Sequence, residues 1–138
     1  MTLPRVLFVC VENSNRSQMA EAFARMHGAG VVEAFSAGSR PSGIVNPRAV
    51  EAMRELGYDL TTHESKSLDE IPAGPYAAVV TMGCGDACPW IAAERRDDWA
   101  LEDPKHLPPD GFRAVRDDIE RRVVALLREL RPPTTSQD

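Results

Sequence analysis

Apolar residues along the chain fall into short runs separated by longer stretches in which they recur every three or four positions. Arg5-Val6-Leu7-Phe8-Val9 is nearly continuous in apolar and β-branched character, the pattern of a strand buried on both faces of a parallel sheet. From Ser17 to about His27 the period lengthens, with Met19, Ala20, Phe23 and Met26 on one face of a helix that Gly28 and Gly30 stop. Val31–Ser36 reads as a second strand ended by Ala37-Gly38. Asn46 suits a helix cap and Pro47 a first turn, and Ala49, Val50, Met53 and Leu56 then form a buried stripe before Gly57. Tyr76–Thr81 is a third strand, and the apolar Trp99-Ala100-Leu101 is expected to be a short fourth. A last helix spans about Asp110 to Leu130, with Phe112, Val115, Ile119, Val123, Leu126 and Leu127 on one side.

Strands alternating with helical crossovers predict an α/β fold: three layers, a four-stranded parallel sheet flanked by helices on both faces. Ligands of such sheets bind beyond the carboxyl ends of the strands. That edge gathers Cys10 after the first strand, Cys84 shortly after the third and Asp103 after the fourth. Residues 1–131 are expected to form a single domain, and 132–138, after Arg131-Pro132-Pro133, a loose tail.

Composition sharpens this picture by exclusion. In 138 residues, 43% are hydrophobic and 27% charged, which excludes a disordered or collagen-like chain. Sixteen Lys+Arg against 21 Asp+Glu give a net charge of −5 with no basic stripe, which argues against a nucleic-acid or acidic-membrane partner. Three cysteines make an odd count, unlike a secreted disulfide scaffold. No apolar run is long enough to span a bilayer or resembles a signal segment, so the expected location is cytoplasmic, where thiols stay reduced.

The densest chemistry lies in Cys10-Val11-Glu12-Asn13-Ser14-Asn15-Arg16-Ser17, between the first strand and the first helix. A loop of this length can wrap a tetrahedral oxyanion with the N–H groups of Val11, Glu12, Asn13, Ser14, Asn15 and Arg16, and the helix N-terminus adds its dipole. Arg16 can fork two oxygens of the anion, and the same positive potential favours the thiolate of Cys10, with Ser17 donating to it. Asn13 suits the left-handed backbone such a loop needs, or ties the loop down through its side chain. A carboxylate facing the anion would repel it, so Glu12 is expected to point outward. Trp90 and Trp99 read as packing residues and His27 as a charge at a helix end.

The run Val9–Glu21, with its Arg16-Ser17-Gln18-Met19-Ala20-Glu21 portion, resembles the opening of the low-molecular-weight tyrosine phosphatase superfamily, and in particular its thioredoxin-coupled arsenate reductase branch. Ser36-Ala37-Gly38, Asn46-Pro47-Arg48-Ala49-Val50, Gly57-Tyr58-Asp59 and Glu102-Asp103-Pro104 match in order as well. The resemblance implies reduction of arsenate to arsenite, with Cys10 as nucleophile, Arg16 and the loop amides holding the oxyanion, and Ser17 supporting the thiolate. It also implies roles for the pair in Gly83-Cys84-Gly85-Asp86-Ala87-Cys88-Pro89. Cys84 would resolve the Cys10 adduct and Cys88 would complete a disulfide relay, emptied by an external thiol reductant with no tightly bound cofactor. Thioredoxin is the favoured donor; the short spacer also resembles members that use a mycothiol or mycoredoxin-type system.

Read by themselves, Cys84 and Cys88 could also be two small buried residues at a turn, or zinc ligands completed by His63 or His106. Asp103-Pro104 resembles the family's general acid, and Lys105-His106-Leu107 follow it where phosphatases place aromatic residues that grip a phenol ring. That favours a small inorganic oxyanion. Two other classes stay open: a phosphatase of phosphomonoesters whose extra cysteines protect Cys10, and a non-catalytic arsenic or metal sensor. Asn13, Glu21 and Ser36 resemble residues that hold potassium behind the loop in some reductases. Here Lys66 stands near the position of the remaining acidic ligand, as an ammonium in place of the cation or as a plain surface lysine.

Overall fold

A computed structural model describes residues 3–83 and 90–130. The strands β1 (Arg5–Cys10), β2 (Glu33–Gly38), β3 (Tyr76–Thr81) and β4 (Ala93–Asp98) form one parallel sheet in the order β2-β1-β3-β4. The helices are α1 (Arg16–His27), α2 (Pro47–Arg54) and α3 (Pro109–Leu130). Short 3-10 turns lie at Leu60–Thr62, Leu68–Glu70 and Pro104–His106.

The continuous apolar run of β1 becomes a central strand because both its faces are covered. Val6, Phe8 and Cys10 face a core built with Met19, Ala20 and Phe23 of α1, Ala49 and Met53 of α2, and Ile119 and Val123 of α3. Leu7 and Val9 face the opposite way, toward Tyr76 and Val79, under the 3-10 turn that carries Leu68 and the neighbouring Ile71. The four-stranded parallel sheet follows the sequence reading; among the described residues, all three α-helices feed the first core, and the second is closed by shorter pieces such as the Leu68–Glu70 turn. Burying each large apolar side chain here contributes about 1.5–3 kcal/mol. Asn46 caps α2 as expected, its side chain accepting from the Arg48 N–H at 2.9 Å, with Pro47 in the first turn.

The fourth strand is not where the apolar residues are. It is the polar Ala93-Glu94-Arg95-Arg96-Asp97-Asp98, and Trp99-Ala100-Leu101 follow it outside the sheet. At the sheet edge the strand pairs, among the described residues, only with β3, and its residues alternate between half-buried and exposed, so it needs no apolar run. Trp99 instead leaves the strand and packs into the first core against Phe8, ring centroids 6.0 Å apart. Trp90 is 71% exposed, with the Arg96 guanidinium 4.4 Å over its ring, and is not a core packing residue. His27 does end α1, 2.8 Å from Glu120 of α3. The tail 132–138 lies outside the described residues.

Candidate active site

The carboxyl end of β1 delivers Cys10 to the sheet edge, paired in register with Gly38 of β2. A side chain at Gly38 would begin 2.5 Å from the Val11 carbonyl oxygen, so glycine is what lets the Cys10–Arg16 loop fold back over β2. The loop's carbonyls are tied one by one to the surrounding protein. Val11 O accepts from Arg40 N, Glu12 O from Ser42 N and Ser65 Oγ, Ser14 O from Asn46 N, and Asn15 O from Met19 N. Asn13 O accepts from Gln18 Nε2 at 3.0 Å. Because a trans peptide carries its C=O and N–H on opposite sides, outward carbonyls turn the following N–H groups inward. The result is a nest of donors around a cavity of 160 Å³ lined by Cys10, Val11, Glu12, Ser14, Asn15, Arg16 and Asp103.

Cys10 is a free, buried cysteine in this loop. Its Sγ receives the Asn13 N–H at 3.2 Å and lies 2.9 Å from Ser17 Oγ. Asn13 Nδ2 also donates to Ser17 Oγ at 2.8 Å, which leaves the hydroxyl proton available to the sulfur. Both contacts favour a negatively charged sulfur. Asn13 combines the two roles its residue type suggested, with a left-handed φ of 51° and a side chain bonded on both ends.

Gln18 and His63 extend this network behind the loop. Gln18 Nε2 donates to Asn13 Oδ1 and to Glu64 O, which leaves Oε1 to accept from His63 Nδ1 at 3.0 Å. His63 Nε2 then accepts the Tyr58 hydroxyl at 2.6 Å. Burial holds the His63 pKa below the ordinary imidazole value and lifts that of Tyr58 above the ordinary phenol, so both stay neutral. Sequence reasoning considered His63 only as a metal ligand and missed Gln18. The legible signal was a polar residue in the first turn of α1 on the side that must pack beneath the loop.

Arg16 reaches across the sheet edge. Its Nη1 donates to the carbonyls of Met82 (2.9 Å) and Leu101 (2.8 Å), joining the chain just after β3 to the chain after β4. Gly83 makes the turn beside it with φ +77°, its would-be Cβ 3.8 Å from Arg16 Nη1. Nη2 lies 4.0 Å from Asp103 Oδ2, across the cavity mouth. Asp103 caps the Pro104–His106 turn through the Lys105 N–H, and Arg48 of α2, overlooked in the sequence, donates to the Lys105 carbonyl at 3.0 Å. Glu12 is half-exposed with its carboxylate 3.6 Å from Lys105 Nζ, an ion pair at the rim that offsets its charge. Cys84 and Cys88 lie outside the described residues.

The residues weighed for a cation are already engaged. Asn13 Oδ1 receives both Gln18 Nε2 and the Lys66 N–H, while Glu21 accepts from Ser36 Oγ at 2.6 Å and pairs with Arg25 at 2.8 Å. The cation beside Glu21 is thus a guanidinium, and Lys66 Nζ bonds to the Glu64 carbonyl. This set does not fit a further potassium ion. Among the described residues no group of His, Cys, Asp and Glu side chains is arranged for a metal.

A strand-end cysteine, a nest of amides and an arginine before a helix define a class. The chain belongs to the low molecular weight phosphotyrosine protein phosphatase family, whose pattern matches residues 5–135. Within it, the chain is 38% identical over 131 residues to the glutaredoxin arsenate reductase of Synechocystis, covering 93% of this chain and 99% of that one. It superposes on the structure of an arsenate reductase in the phosphate-binding state with a TM-score of 0.85 and 37% identity, covering 93% of this chain and 99% of that chain. A Corynebacterium glutamicum thioredoxin-dependent arsenate reductase is also similar, with a TM-score of 0.77 and 34% identity over 94% of this chain and 62% of that one.

Proposed function

We propose that the chain reduces arsenate to arsenite with electrons from its own thiols, in the service of arsenic detoxification. The observation that carries this reading is the Cys10 sulfur, with donors from Asn13 and Ser17 trained on it, at a small oxyanion-sized cavity with Arg16. The Cys10 thiolate attacks arsenic(V), and a hydroxyl of arsenate leaves as water on taking a proton from Asp103. The Cys84 thiolate then attacks Cys10 Sγ. A disulfide forms between them, the sulfur–arsenic bond breaks, and its electron pair stays on arsenic, which leaves as arsenite. Cys88 attacks Cys84, which releases Cys10 as thiolate and leaves a Cys84–Cys88 disulfide for an external dithiol to reduce.

The external donor we favour is thioredoxin, supported by the thioredoxin dependence of the Corynebacterium glutamicum relative; the Synechocystis relative, a glutaredoxin arsenate reductase, points to glutaredoxin. A mycothiol or mycoredoxin-type thiol system is the remaining candidate. Such a reductant fits a cytoplasmic setting, and no described helix is long and apolar enough to cross a membrane.

One turnover with arsenate and no external thiol, followed by peptide mass spectrometry, tests the relay. A Cys84–Cys88 bond is the expected product, and Cys84→Ser is expected to abolish turnover. Full arsenate turnover in Cys84→Ser rejects the relay. Hydrolysis of p-nitrophenyl phosphate without arsenate reduction assigns the chain to the phosphatases, and stoichiometric arsenite binding without turnover to the sensors.

A further inference from the structure

The peptide between Met82 and Gly83 is gripped from both sides. Its carbonyl accepts from Arg16 Nη1 at 2.9 Å, and its N–H donates to Asp98 Oδ1 at 3.0 Å. One step earlier, the Met82 N–H donates to the Val9 carbonyl at 3.0 Å. Three successive polar groups at the exit of β3 are thus held in turn by β1, by α1 and by β4.

Asp98 owes its place to strand register. It ends β4 directly opposite Thr81, the last residue of β3, and Thr81 Oγ1 donates to the same Oδ1 at 2.6 Å. The side chain stands outside the Cys10–Arg16 cavity, at an exposed strand end. A carboxylate on the N–H and a guanidinium on the C=O polarise the peptide in the same sense, so each bond strengthens the other. The C=O and N–H of one peptide turn together, so the grip fixes the orientation of the whole plane. Gly83 has a φ of +77°, and a glycine brings no side chain to resist rotation; the plane is held by its partners. The next residue in the chain is Cys84.

We propose that Asp98 is a positioning residue for the resolving step of the reaction. With Arg16 it locks the peptide from which the chain departs toward Cys84 to the guanidinium at the oxyanion cavity. The inference deepens the proposed arsenate chemistry and rests on the Cys84 relay. In that step the Cys84 thiolate attacks Cys10 Sγ and a sulfur–sulfur bond forms. The sulfur–arsenic bond breaks, and its electron pair leaves on arsenic as arsenite. The rate depends on how often the attacking sulfur is in line, and a shared anchor gives thiol and anion one frame of reference. Anion binding depends on Asp98 much less, because Arg16 Nη1 keeps its bond to the Leu101 carbonyl at 2.8 Å.

The test compares full-length reduced wild type, Asp98→Ala and Asp98→Asn in two measurements. The first is the single-turnover rate of disulfide formation at saturating arsenate without external thiol, read by quenched alkylation and mass spectrometry. The second is the protection of Cys10 by phosphate against iodoacetamide, which reports the cavity without the resolving step. Asp98→Ala is expected to slow disulfide formation by about tenfold or more, the scale of a small misplacement of a reacting group. The concentration of phosphate that protects Cys10 should stay within about twofold of wild type, as the Arg16–Leu101 bond implies. Asp98→Asn keeps an acceptor oxygen for Gly83 N–H and Thr81 Oγ1, and it should recover most of the rate.

An unchanged rate of disulfide formation in Asp98→Ala overturns the proposal. So does an equal loss of rate and of phosphate protection, which would make Asp98 a support of the cavity or of the fold. Asp98→Asn as slow as Asp98→Ala also overturns it, since the acceptor would then not be what matters. If phosphate protects wild-type Cys10 but arsenate yields no disulfide, the relay itself falls and takes this inference with it. Disulfide formation in the wild type with no effect of the Asp98 variants removes this inference alone.

Discussion

Two loops meet over the cavity, and they are held in different ways. The Cys10–Arg16 loop is mostly buried, its carbonyls are bonded to α1, to the segment before α2 and to Ser65, and its Asn13 side chain receives the Lys66 N–H. The loop carrying Asp103, Pro104 and Lys105 is anchored lightly, by its own cap, by Arg48 and by the rim pair with Glu12. The difference teaches where precision is needed. An anion-binding nest works only if its donors are fixed before the anion arrives, because preorganised dipoles need no reorganisation during reaction. Asp103, proposed as the acid, needs reach to a leaving oxygen, and its half-exposed place on a short turn is suited to that role.

Substitutions on the two sides should therefore differ in size and kind. Arg16→Met removes a cavity donor and the link between the chain ends after β3 and β4. It should lower kcat for arsenate reduction by about 10²–10³, the usual cost of a lost transition-state donor. A loss below tenfold would show that the nest works without it. Arg48→Met keeps an apolar stem over Phe112 while releasing the Lys105 carbonyl. About a tenfold fall in kcat with little change in KM is expected, since a hydrogen bond from a charged group is worth more than 1 kcal/mol. A change in KM alone would place Arg48 in binding and break the contrast between the loops.

The smallest expected effect is a pH dependence of stability beneath the rigid loop. Burial keeps His63 neutral, with its pKa below the unfolded value near 6.5. Below that value the unfolded chain binds the proton more readily than the native one. The contribution of neutral His63 is thus full above pH 6.5 and declines as pH falls. Urea titrations of wild type and His63→Asn across this range should show a shallower acid decline in the variant; parallel curves would remove His63 as a source.

Much of this contrast was legible in the sequence, though unevenly. The apolar run of β1 and the Cys10-to-Ser17 spacing placed the rigid loop, because strand, loop and helix are local and their periodicities change sharply. Asp103 was placed at this edge by the strand pattern, and its role as an acid came only through resemblance. The strand before it is polar because it lies at the sheet edge, and the apolar Trp99 drew the expected strand to the wrong residues. Gln18, His63 and Arg48 were not legible in their present roles. Each acts on a carbonyl or amide distant in sequence, a relation that no local pattern encodes. Glu12 was expected to face outward, and its rim pairing with Lys105 agrees.

The outward-facing carbonyls of the Cys10–Arg16 loop have a consequence for how the molecule fails. Their donors come from positions 18, 19, 40, 42, 46 and 65, so the nest has no independent existence as a peptide segment. Loosening β2's exit, the start of α2 or the strand of chain near Ser65 frees a carbonyl to rotate inward, and one inward carbonyl replaces a donor with a repulsive acceptor. Reactivity at Cys10 is therefore a property of the assembled domain, and the site reports on the integrity of segments that never touch the substrate.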